Sequence, residues 1–146
     1  MLRGSYAARV DEKGRLKIPA AFLAPLRENY SGQFFVTSLT GQFARIYPLE
    51  EWNQIEERLA RVSSTNRAKK KFLNLVNYYG QVVSMDKQGR VLIPAVLRES
   101  AAMKGEVAVL GSLTYLDVWN NQRFLEEIRK NPITQDDEKT LDDLGV

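Results

Sequence analysis

Polar and apolar residues alternate over residues 6–11 and again over 15–18, with Glu12-Lys13-Gly14 as a short turn between them. A period of two interrupted by a Gly-containing turn predicts a β-hairpin. Pro19 cannot donate to a ladder and suits a first helical turn, so a short helix should follow over residues 20–30, limited or kinked by Pro25. Residues 34–38 and 43–47 are two more strand-like runs around Thr40-Gly41. Leu49, Trp52, Ile55, Leu59 and Val62 then recur at helical spacing, and Phe72, Leu75, Val76 and Tyr79 do so after Ser63-Ser64-Thr65. Two helices with a Ser or Thr cap between them fit this stretch. Strands near 81–86 and 90–93, a helix from Pro94, and strands near 106–110 and 114–119 follow. Phe124, Leu125 and Ile128 predict a terminal helix after an Asn120-Asn121 cap, and residues 131–146 read as a mobile acidic tail.

The element order repeats because the sequence repeats. Asp11-Glu-Lys-Gly-Arg15-Leu-Lys-Ile-Pro19-Ala20 recurs 75 residues later as Asp86-Lys-Gln-Gly-Arg90-Val-Leu-Ile-Pro94-Ala95, identical at six of ten positions. Residues 38–47 match 110–119 in character at an offset of 72, the difference falling where a loop absorbs it. The organisation is a first copy over residues 1–48, a helical connector over 49–79, a second copy with its terminal helix over 80–130, and the tail.

Charge and composition narrow the chemistry. The 146 residues contain neither Cys nor His, which excludes disulfides, thiolate nucleophiles, His-ligated zinc and Ser-His-Asp triads. No cofactor or metal site is expected, and an exposed hairpin face offers no water-excluding pocket, so neither catalysis nor a small-molecule substrate is expected. No apolar run reaches 18 residues and the N-terminus lacks a secretory h-region, so no membrane association and a cytoplasmic location are expected. The net charge of +3 is uneven: residues 131–146 hold five acids and one Lys, leaving +7 on residues 1–130. A basic body of that size suits a polyanionic partner and is also common among soluble domains.

The placement of charge is more informative. In a local hairpin Asp11 would lie opposite Arg15 and Arg9 opposite Lys17, all four on one face, while Ala8, Val10, Leu16 and Ile18 take the other. The polar face would carry Arg9, Arg15 and Lys17 around one carboxylate, with Lys13 at the turn. Asp11 could orient the Arg15 guanidinium for phosphate or for the O6/N7 edge of guanine. The same pair could equally do no more than stabilise a hairpin. In the second copy the polar face would read Ser84, Asp86, Arg90 and Leu92, without net charge, which predicts that it binds more weakly or serves an interface. Arg67 and Lys69–Lys71 read either as a solvated helix face or as phosphate contacts.

The two D-x-x-x-R motifs, the segment Thr40-Gly-Gln-Phe-Ala-Arg-Ile-Tyr-Pro-Leu-Glu-Glu-Trp52 and the Ser63-Ser-Thr-Asn-Arg67 link together resemble the MraZ family of bacterial regulators, associated with the division and cell-wall gene cluster. The resemblance covers about residues 1–130. It implies an α+β fold of two tandem AbrB/SpoVT-like swapped-hairpin units related by pseudo-two-fold symmetry, with connecting and C-terminal helices. It further implies a nucleoid-associated, ring-shaped homo-oligomer that binds short repeated G-rich boxes of double-stranded DNA upstream of the family's own operon. The DNA-contacting residues would be Asp11 and Arg15, and Asp86 and Arg90, to which the charge pattern adds Arg9, Lys13, Lys17 and Lys87.

Oligomerisation also has a physical rationale. A few cations on one hairpin give weak binding, about 10⁻⁴ to 10⁻⁶ M when non-specific. Several subunits facing several boxes raise avidity through effective concentration. The competing reading is an AbrB-like, antitoxin-type interaction module, whose sign would be a long apolar tail. Here the tail is acidic, and it could solubilise the chain or fold over the basic hairpins as a DNA mimic.

Overall fold

A computed structural model describes residues 1–146. The first copy supplies β1 (Ser5–Arg9), β2 (Arg15–Lys17), α1 (Ala20–Asn29), β3 (Gln33–Thr37) and β4 (Ala44–Pro48). The connector is α2 (Leu49–Ala60) and α3 (Arg67–Tyr79). The second copy supplies β5 (Gln81–Ser84), β6 (Arg90–Leu92), α4 (Ala95–Ser100), β7 (Glu106–Ser112) and β8 (Tyr115–Asn120), followed by α5 (Asn121–Lys130) and α6 (Gln135–Asp143). Pro19 and Pro94 occupy the N-cap positions of α1 and α4, ending the preceding strands as their missing N–H requires. The cap of α3 is Asn66, whose side chain accepts the Lys69 N–H, in place of the Ser or Thr expected from the 63–65 run.

Strand order in the main sheet is β1-β7-β8-β4-β3-β5, and β2 pairs with β6 in a separate two-stranded ribbon. With β1 equivalent to β5, β3 to β7 and β4 to β8, this order reads the same from either end once the copies are exchanged. Only β3–β4 and β7–β8 are pairs within one copy. The fold is therefore the α+β arrangement of two interleaved swapped-hairpin units.

The exchange corrects the expected local hairpin. Strand β1 aligns with β7, Arg9 opposite Glu106, and β2 aligns with β6, Lys17 opposite Arg90. Between β1 and β2 there remain only the isolated bridge Val10↔Leu16 and the bond from the Asp11 N–H to the Arg15 carbonyl. The bridge keeps the expected register, with Val10 opposite Leu16, but the ladder does not extend to Arg9 and Lys17, whose ladder partners are Glu106 and Arg90. The facing inferred from alternation survives, because a strand keeps its two faces whichever partner it takes. Leu16, Ile18, Val91 and Ile93 are fully buried, and Ala8 and Val10 pack against the same core.

That core lies between one face of the sheet and the ribbon with α1 and α4, and includes Phe22, Phe34, Val36, Ile46, Leu97 and Leu116. Alternate residues of β3 and β4, Phe35 and Tyr47, point to the opposite face and join Trp52 of α2 and Val76 of α3 in a second cluster. Phe35 stacks on Trp52 at 4.6 Å, and the buried Thr37 hydroxyl donates to the Val76 carbonyl at 2.6 Å. At the sheet centre Arg45 faces Asp117, its counterpart in the other copy, across β4 and β8. Arg45 donates to both Asp117 carboxylate oxygens, at 2.8 and 3.3 Å, and its guanidinium lies 4.3 Å from the Tyr115 ring centre. Divergence of the copies has placed opposite charges where identical copies would oppose like ones.

Residues 135–143 of the acidic tail form α6, all of it exposed. No helix is long and apolar enough to cross a membrane.

Candidate nucleic-acid interface

Each D-x-x-x-R motif builds a turn around its aspartate. The Asp11 Oδ1 accepts the backbone N–H of Lys13 at 3.0 Å and of Arg15 at 2.8 Å, and the Gly14 N–H closes onto the Asp11 carbonyl. Asp86 repeats this with Gln88 and Arg90, both at 2.9 Å. These backbone donors, Arg15 and Arg90 foremost, hold both carboxyls below the ordinary carboxylate range despite some desolvation, so both are anionic at neutral pH. The side-chain roles differ. Asp11 Oδ2 also accepts the Arg15 Nε at 2.9 Å, whereas Arg90 makes no ion pair.

The two turns hold each other across the pseudo-dyad. Ile18 donates its N–H to the Gly89 carbonyl and Ile93 to the Gly14 carbonyl, both at 2.9 Å. The Lys17 ammonium donates to the Gln88 carbonyl. Gly14 and Gly89 have φ of +83° and +76°, in the left-handed region that favours glycine. A Cβ on Gly14 would collide with the Arg98 guanidinium of α4, and one on Gly89 would lie 2.8 Å from Leu23 of α1. Leu23 and Arg98 are equivalent positions of the two copies.

In the ribbon, Leu16 and Val91 face the core at its centre, and Arg15, Lys17, Arg90 and Leu92 take the other face. Arg9 of β1 joins them: Arg9, Val10, Asp11, Arg15, Lys17 and Arg90 line one shallow, open depression. The sequence-predicted grouping of Arg9, Asp11, Arg15 and Lys17 is thus brought together, and Arg90 is added to it. The separate, uncharged second-copy face does not form, because strand exchange puts Arg90 and Leu92 beside Arg15 and Lys17. Four cations around one carboxylate leave this surface at +3.

Lys13 projects at the exposed turn, and Asp86 and Lys87 line a different depression with Arg27 and Tyr30. Arg98, not singled out from the sequence, sits against Gly14 and lines a groove with Asp11, Glu12 and Lys104. Its one signal was the Leu-to-Arg change at the repeat position of Leu23, which acquires meaning only once strand exchange brings α4 to the first-copy turn. The α3 cations lie over the sheet face opposite the ribbon, so they do not extend this surface. No three Asp or Glu side chains converge in a metal-binding group.

An open face of guanidinium and ammonium groups, with Arg15 and Lys17 held by hydrogen bonds, can bind phosphates and present Arg planes to base edges. The family described as "MraZ protein, putative antitoxin-like" matches residues 1–75 and 80–144, one match per repeat. A protein of Acidobacterium capsulatum named Transcriptional regulator MraZ is 52% identical over 146 residues, the whole of both chains. Its namesake from Koribacter versatilis is also 52% identical, over the full length of both. One from Shewanella oneidensis is 31% identical over 88% of this chain and 85% of its own. The paired motifs, the interleaved fold, the family match over both repeats and these relatives agree, and the chain belongs to the MraZ family.

Proposed function

We propose that the chain is a sequence-specific DNA-binding transcriptional regulator whose reading surface is the β2–β6 ribbon. The observation that carries this is the convergence of Arg9, Arg15, Lys17 and Arg90 from both repeats on one open face, with Asp11 fixing the Arg15 guanidinium. The names of the full-length relatives support the same reading. Arg15, held by its carboxylate, is suited to a bidentate contact with guanine, while Arg9, Lys17 and Arg90 suit phosphates. Lys13 and Lys87, at the turns, extend the phosphate contacts, and Asp86 keeps the Arg90 turn in shape. The target is a set of short repeated G-rich boxes upstream of the chain's own division and cell-wall operon.

One ribbon neutralises about four phosphates, a salt slope near −0.9 for each, which is weak alone. A ring-shaped homo-oligomer facing several boxes at once supplies the missing affinity, in the cytoplasm at the nucleoid. Affinity should rise steeply with box number; a single box bound as tightly as three would contradict the assembly. Footprinting on the upstream region, with Arg15→Ala as control, tests the reading itself: protection of spaced repeats that disappears in the variant is expected, and protection unchanged by the variant would overturn it.

The family description also contains "antitoxin-like", which favours a second reading, a module that grips a protein partner. Co-purification of a stoichiometric partner that survives Arg15→Ala, without any footprint, would favour that reading.

A further inference from the structure

Helix α6 is specified at both ends and has no buried residue. At its N-terminus the Thr134 side chain accepts the Asp137 N–H at 3.1 Å while Asp137 accepts the Thr134 N–H at 3.0 Å, a complete capping box. At its C-terminus the Val146 N–H returns to the Leu141 carbonyl at 2.9 Å and the Gly145 N–H to Asp142 at 3.0 Å, a Schellman closure. Yet the helix has nine residues, none of them buried. Helices shorter than about 12 to 15 residues are marginal in water without packing. A segment with both stop signals leaves an apolar side, Leu141, Leu144 and Val146 at 37%, 72% and 82% exposure, open to solvent.

A surface complementary to it exists on this same protein. Helix α3 exposes Arg67, Lys70 and Lys71, then Leu75 at 40% and Tyr78 at 67% exposure. None of the three cations makes an ion pair. They stand at the positive end of a helix with no acid in its first turn, and Asp142 and Asp143 of α6 stand at the negative end of a helix with no base in its last. Each helix thus carries charge that its own dipole disfavours and that the other would neutralise. The ribbon is a poorer seat, since its outer face offers only the half-buried Leu92 and Val10 to three apolar groups.

We propose that α6 of one chain docks on the exposed basic and apolar face of α3 in a second copy of the same chain. The tail is then an assembly arm. Within the chain α6 has no extensive packing with any other element and its apolar residues are exposed, so they can reach a neighbour. The proposal rests on the self-assembly reading above and names the surfaces that carry it.

The absence of native cysteine provides a clean test. Full-length Leu75→Cys chains are mixed with full-length Leu141→Cys chains and oxidised, and the mass of the unsubstituted protein is measured in parallel. Expected are a multimeric mass and a disulfide-linked pair of one chain of each kind, on the order of tenfold above a Leu39→Cys and Leu141→Cys control, as held contact implies. Introducing Lys70→Glu and Lys71→Glu into the Leu75→Cys chain should reduce the linked pair several-fold. A multimeric protein without preferential linkage overturns the docking and leaves self-assembly standing. A protein monomeric at all concentrations overturns both. Linkage confined within single chains of the Leu75→Cys, Leu141→Cys double variant also overturns the proposal.

Discussion

The Asp11 carboxylate accepts three donors, two backbone N–H groups and the Arg15 Nε, whereas Asp86 accepts backbone donors only. Asp11→Asn keeps an oxygen for the backbone and loses the charge that orients Arg15. It should leave the fold intact and weaken DNA binding, read by circular dichroism and titration with labelled DNA. Asp11→Ala removes the turn's acceptor as well and should also lower the melting temperature. The pH dependence follows from the lowered carboxyls. A group depressed on folding stabilises above its unfolded pKa, about 3.9 for Asp, and that contribution is lost as pH falls through the lower folded value. Stability should therefore fall below about pH 4, and less steeply in Asp11→Asn. Gly14→Ala forces a left-handed backbone on alanine and moves Arg98, with an expected cost of about 1 to 3 kcal/mol in urea unfolding.

Strand exchange ties the two copies into one folding unit at the scale of elements. Each of β1, β2 and β5 finds its ladder partner in the other copy. Residues 1–79 or 80–146 expressed alone should show no cooperative unfolding, and an equimolar mixture should recover native-like dichroism; an independently folded half would contradict this. Asp117→Ala strands the half-buried Arg45 charge, at an expected cost of about 2 kcal/mol, and exchanging the two residues should recover part of it. Most elements, the repeat and the facing of Leu16 against Arg15 were legible in the sequence, since alternation fixes which side of a strand is buried. The partner strand was not. A local hairpin and an exchanged pair bury the same alternate residues, so periodicity cannot separate them, and the register Lys17↔Arg90 emerges only from three-dimensional pairing. For the same reason Arg9, Asp11, Arg15 and Lys17 were legible as a group, while Arg90 joining them and Arg98 reaching Gly14 were not.

Over the whole molecule, the main sheet separates the two proposed surfaces in space. The ribbon faces one way with Arg9, Arg15, Lys17 and Arg90, while α2 and α3 cover the other side with a second set of cations. The proposed DNA surface and the proposed assembly surface lie on opposite sides of one sheet, so both could be occupied together. Within the ribbon the repeats are unequal: Arg15 is held by a carboxylate and Arg90 is not, so charge reversal at Arg15 should cost more DNA affinity than at Arg90, and equal losses would contradict that asymmetry. The most direct test of the ribbon as the reading surface is the affinity of the unsubstituted chain and of Arg15→Ala for the upstream box region across a salt series, with folding verified. A loss of at least about tenfold is expected, the bidentate guanine contact being worth about 1 to 3 kcal/mol in each subunit, with discrimination between box and non-box DNA reduced. A folded Arg15→Ala chain with unchanged affinity and discrimination would contradict the ribbon as the reading surface.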